Sequence, residues 1–115
     1  MKYQLFANNE LIGESNLEVG DPPMGVASGE FHPNKNYFKY QSLFESQNTE
    51  VLNLCVKSSS GQTLEPAGGI GVEDYSQEMG EQSIQINVLG LDSEVYVKLF
   101  PEHVAKYDAL FKQGN

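Results

Sequence analysis

The chain contains no arginine and a single cysteine, Cys55. No apolar run approaches the length needed to span a bilayer. Without arginine there is no fork-shaped donor for bidentate recognition of phosphate, carboxylate or guanine. All seven basic residues are lysines, and sixteen acids oppose them for a net charge of −9. Such a chain repels phosphate, where nucleic-acid binding needs a basic footprint. Nucleic acid and membrane are therefore not expected as partners. A lone cysteine closes no internal disulfide. The start, Met1, Lys2, Tyr3 and Gln4, turns polar by Asn8 and Asn9 and lacks the apolar core of a secretion signal. The expected setting is the reducing cytoplasm.

What is present suffices for one domain. At 115 residues with 39% hydrophobic content the chain builds a single core. The acids are unevenly spread. Residues 3–34 contain no lysine but five acids: Glu10, Glu14, Glu18, Asp21 and Glu30. Residues 58–97 again contain no lysine but seven: Glu65, Glu73, Asp74, Glu78, Glu81, Asp92 and Glu94. One explanation is ordinary solubility. The sharper one is that the two stretches fold into one negative face that attracts a basic partner.

Along the chain, residues 2–7 and a stretch from Glu10 read as a hairpin turning at Asn8 and Asn9, which tolerate left-handed backbone. Asp21, Pro22 and Pro23 read as a stiff, non-helical arm, with Gly20 and Gly25 free to take positive φ at its ends. Residues 26–31 look extended, and His32 and Pro33 stop them. Residues 34–47 predict a helix capped by Asn34 or Asn36, with Tyr37, Tyr40 and Phe44 on a core-facing stripe. Residues 51–57 predict a strand inside a sheet, followed by a turn at 58–61 and a short return strand at Thr63 and Leu64. Ile70 and Val72 alternate with glycines, as in a strand whose backbone is closely approached. Residues 83–89 and 95–99 read as a hairpin. Pro101 opens a last helix with Val104, Tyr107 and Phe111 on one face, closed by Lys112 and Gly114. The fold expected is α+β: a mostly antiparallel sheet of about seven or eight short strands with two helices packed on it.

Chemistry finds little support. Cys55 lies mid-strand with no helix start or glycine elbow to activate it, so it reads as a sheet residue and not as a nucleophile for His32 or His103. His103 reads as a surface residue in the first turn of the last helix. Glu73, Asp74, Glu78 and Glu81 lack the Asp/Asn alternation of an EF-hand, and two distant histidines make no zinc signature. Gly68, Gly69 and Gly71 lack the Gly-Lys-Ser/Thr ending of a phosphate loop. No catalytic residue, metal or cofactor is assigned.

Residues 11–27 (LIGESNLEVGDPPMGVA), 69–74 (GIGVED) and 99–103 (LFPEH) together resemble a group of small uncharacterised bacterial proteins that includes immunity proteins of contact-dependent growth inhibition systems. The resemblance implies a cytoplasmic protein that binds and neutralises a cognate toxin, commonly a ribonuclease or deoxyribonuclease with a cationic active site. The acid distribution is compatible, since carboxylates can occupy the places of phosphates. The partner-binding residues expected are Asp21 and Met24 from the proline loop, with Glu73, Asp74, Tyr75, Glu78 and Glu81 from the second loop, the two loops edging one face. The alternatives are a small-molecule-binding or accessory domain with glycine-rich pocket loops, and a carboxylate hydrolase, which needs two acids about 5–10 Å apart in a cleft.

Overall fold

The computed structural model describes residues 2–113 as an α+β fold of two antiparallel four-stranded sheets. The first contains β1 (Tyr3–Ala7), β2 (Glu10–Ser15), β5 (His32–Pro33) and β6 (Leu54–Ser58), in the order β5-β2-β1-β6. The second contains β3 (Val19–Asp21), β4 (Val26–Glu30), β7 (Gly69–Asp74) and β8 (Ile84–Leu89), in the order β3-β4-β8-β7. Helices are α1 (Gln41–Glu45), α2 (Ser76–Met79), α3 (Ser93–Leu99) and α4 (Pro101–Gln113). None of the described helices is long and apolar enough to cross a membrane.

The expected first hairpin forms. Asn8 and Asn9 take φ of 51° and 67°, the left-handed pair that a two-residue turn requires. Residues 26–33 then thread both sheets. Phe31, 1% exposed, is the crossing point, and His32 and Pro33 pair with β2 instead of merely ending a strand. The shared core gathers Leu5, Ile12, Val56, Ile86, Val88 and Phe100 around this crossing.

The proline arm is a turn of 3-10 helix at Pro22–Met24, because the φ fixed by proline suits that turn as well as extended backbone. Gly25 closes it at φ 66°, and a Cβ there would stand 2.5 Å from the Leu91 carbonyl oxygen. Gly20 instead lies within β3, needed as glycine because a Cβ would meet the Tyr96 hydroxyl and the His103 ring.

Residues 34–47 divide in two. Asn34 caps a 3-10 turn, Lys35–Lys39, by accepting the Asn36 N–H at 2.8 Å, and α1 follows after Tyr40. The stripe does face the core: the Tyr37 and Phe44 rings stack at 5.2 Å, a contact worth about 1 kcal/mol beyond burial. β6 is an edge strand of the sheet. In place of a full return strand, the chain comes back along it through a bridge from Lys57 to Thr63, with the Ser58 N–H donating to the Gln62 carbonyl and the Leu64 N–H to that of Val56. Gly69 and Gly71 have open space where a Cβ would sit, so nothing presses on β7 there.

Residues 95–99 are helical and not the second arm of a hairpin. Asp92 accepts the Glu94 N–H and starts the turn. The apolar alternation at Val95, Val97 and Leu99 was misleading, since Val97 is 55% exposed while Tyr96 and Phe100, spaced i, i+4, are buried. His103 continues that spacing at i+7. It is buried and stacked on Phe100 at 5.1 Å, correcting its assignment to the surface. Its Nε2 lies 2.8 Å from the Leu17 carbonyl oxygen. A carbonyl only accepts, so Nε2 carries the proton. The seam of α4 is thus at its start, and further along Leu110 and Phe111 are exposed. The expected closure at Gly114, and the side chain of Lys112, lie outside the described residues.

Candidate functional site

All four strands of the second sheet come from the two lysine-free stretches, so this sheet carries no basic side chain. Ile84, Ile86 and Val88 of β8 point inward and are buried, which turns Gln85, Asn87 and Leu89 to the outer face. The register sets Val19, Ser28, Asn87 and Gly71 side by side in one row, and Glu30, Gln85 and Glu73 in the next.

A polar array links these rows. The Ser28 hydroxyl donates to Asn87 Oδ1 at 2.7 Å, and Gln85 Nε2 donates to the same oxygen at 3.0 Å. Asn87 Nδ2 donates to Glu73 Oε1 at 2.9 Å. Glu73 Oε2 accepts the Tyr75 hydroxyl, a bond that raises the Tyr75 pKa above its ordinary value. Glu73 is thereby committed to fixing Tyr75.

Beside the array lies an open groove of about 550 Å³, lined among others by Glu18, Val19, Ser28, Glu30, Tyr75 and Gln85. Glu18 Oε2 accepts the Glu30 backbone N–H at 2.8 Å, which lays its carboxylate over Gly29. Glycine leaves the room for it: a Cβ would come within 2.5 Å of Glu18 Oε1 and push that carboxylate aside. Glu30 projects its own carboxylate from the outer face of β4.

The expected site residues divide. Glu73 and Tyr75 belong to the array, and Tyr75 also lines the groove. Glu78 and Glu81 are exposed just beyond, on and after α2. Asp21 and Met24 are exposed but lie at the other edge: β3 and β7 are separated by two strands, at least about 14 Å at ordinary spacing. The two loops do not share one edge. Asp74 is a correction. It is only 7% exposed, and it accepts hydrogen bonds from the Tyr37 hydroxyl at 2.5 Å, Gln41 at 3.2 Å and the Ser76 N–H at 2.9 Å. Burial opposes its ionisation, but the bonds from Ser76, Tyr37 and Gln41 outweigh burial and hold its pKa below the ordinary 3.8. Asp74 anchors the fold and is turned away from any partner.

Glu18 and Glu30 were missed as site residues. The alternation of Ala27 and Gly29 against Ser28 and Glu30 signals an outward Glu30, whereas the fold of Glu18 over Gly29 has no local signature. Among the described residues no three His, Cys, Asp or Glu side chains converge to hold a metal ion. Cys55 and His32 sit on opposite edge strands of the first sheet, which opposes a nucleophile–base pairing. No family model, curated protein or solved structure matches this chain.

Proposed function

We propose that the protein is an immunity-type inhibitor that binds a basic toxin domain, a nuclease in the first instance, through the outer face of its second sheet and silences it by occlusion. One observation carries this reading: a whole sheet free of basic side chains, with Glu18 and Glu30 lining an open groove and Glu73 in the polar array beside it. Carboxylates held there would accept the lysines and arginines of a phosphate-binding cleft, and uniform charge would speed encounter. Inhibition by occlusion requires no chemistry from the inhibitor.

The hydrolase alternative gains one observation, since Glu18 and Glu30 reach the same groove. Both are exposed, however, whereas an acid and a nucleophile need contrasting environments. Gly68, Gly69 and Gly71 stay outside the groove lining, so the glycine-loop pocket gains nothing.

The test is co-expression with the C-terminal domain of a large secreted protein encoded beside this gene. Relief of growth arrest supports the proposal. Unrelieved arrest, or the lack of any such neighbour, contradicts it.

A further inference from the structure

We infer that the groove beside Tyr75 receives an arginine side chain of the partner, and that Glu18, Glu30 and Tyr75 set a preference for arginine over lysine. The inference rests on the binding role proposed above and names the chemistry of its anchor.

The lining of the groove contains acceptors and no lysine or histidine; Lys106 lines the neighbouring hollow that also includes Glu18. Glu18 Oε2 is held by the Glu30 N–H, which fixes the carboxylate while its Oε1 has no partner among the described residues. The Glu30 carboxylate, too, has no hydrogen-bond or ion-pair partner among them. Glu73 is different, with one oxygen bonded to Asn87 and the other to Tyr75. The array therefore holds the aromatic wall, and two other carboxylates are left to meet a ligand.

The lining is not acidic alone. Ser28 and Gln85 add a hydroxyl and an amide, and Val19, 60% exposed, adds an apolar side. A volume of about 550 Å³ falls in the ordinary range for a binding cavity and admits a long side chain. A planar guanidinium combines what this lining offers: several in-plane donors for carboxylate oxygens, and a face that stacks on an aromatic ring. A lysine ammonium makes the charge contact but forgoes the bidentate and stacking geometry. Arginine is also the cation most enriched at the desolvated centres of interfaces.

The probes are two blocked tripeptides, acetyl-Gly-Arg-Gly-amide and acetyl-Gly-Lys-Gly-amide, titrated separately into the full chain while backbone amide shifts are recorded by NMR. The arginine peptide is expected to move the amides of Gly29, Glu30 and Gln85 and to bind at least about fivefold tighter than the lysine peptide. Glu18→Gln and Glu30→Gln, both exposed and so compatible with folding, should each weaken it by a similar factor, and Tyr75→Leu should reduce the preference for arginine. Equal binding of both peptides at these amides overturns the arginine preference and leaves the basic-partner reading standing. Shifts centred on Asp21 or Glu81 overturn the location. No shift with either peptide, while the neighbouring toxin is still neutralised, overturns this inference alone. Selective binding of the arginine peptide without toxin neutralisation supports it and removes the immunity reading.

Discussion

The Glu18 carboxylate accepts the backbone N–H of Glu30 at 2.8 Å, across the gap left by the missing side chain of Gly29. Two acids twelve residues apart thereby reach one groove.

Gly29→Ala tests this arrangement. The new methyl would displace the end of a flexible side chain, so the fold should survive with a loss of about 1 kcal/mol or less. The Glu18–Glu30 hydrogen bond should break, and the Glu30 amide should exchange with deuterium markedly faster than in the wild type. Unchanged exchange would mean that Glu18 does not hold that amide.

Asp74 should set the acid limit of stability. Its folded pKa is lowered, so its contribution is fully present above the ordinary 3.8 and lost as pH falls through the folded value. Thermal melts from pH 6 to below about pH 4 should show a fall in Tm that Asp74→Asn flattens. At neutral pH Asp74→Ala should cost about 3 kcal/mol, because it strips a buried acceptor from Tyr37 and Gln41.

At the alkaline end, burial and then the Asp21 charge push the Tyr96 pKa up to about 12, and burial with the Asp74 hydrogen bond raises Tyr37 as well. Raised values favour the neutral hydroxyl in the folded state. Stability is then present below the ordinary 10.0 and is lost as pH climbs from 10.0 towards 12. Absorbance titration should show these two tyrosines ionising last, together with unfolding.

His103→Phe keeps a ring stacked on Phe100 but removes the donor to Leu17, and should cost about 1–3 kcal/mol in denaturant melts. Leu17 holds φ 47°, a strained value for a branched residue, while fully buried. Leu17→Gly should still destabilise, since losing the buried side chain outweighs about 1–2 kcal/mol of relieved strain.

The fold class and the first hairpin were legible because Asn8-Asn9, the alternation in β1 and the apolar face of β8 are local signals. The helix at 93–99 was obscured because Val95, Val97 and Leu99 imitate strand alternation, while the buried set Tyr96, Phe100 and His103 spans two helices. Glu73 and Tyr75 were singled out from the acidity of their stretch, and the structure joins them in one hydrogen-bonded array. Asp74 beside them was misread, because composition does not distinguish a carboxylate facing water from one accepting a buried tyrosine hydroxyl. Glu18 was hidden for a related reason: its place depends on a backbone N–H and a glycine on another strand.

The most direct measurement of the central claim is the association rate of the neighbouring toxin domain with the wild type and with Glu18→Lys/Glu30→Lys, each at low and high salt. Reversal should slow association at least about tenfold at low salt, and the difference should shrink at about 0.5 M salt as screening takes hold. Equal rates for the two proteins at low salt would contradict an acidic groove that steers a basic partner.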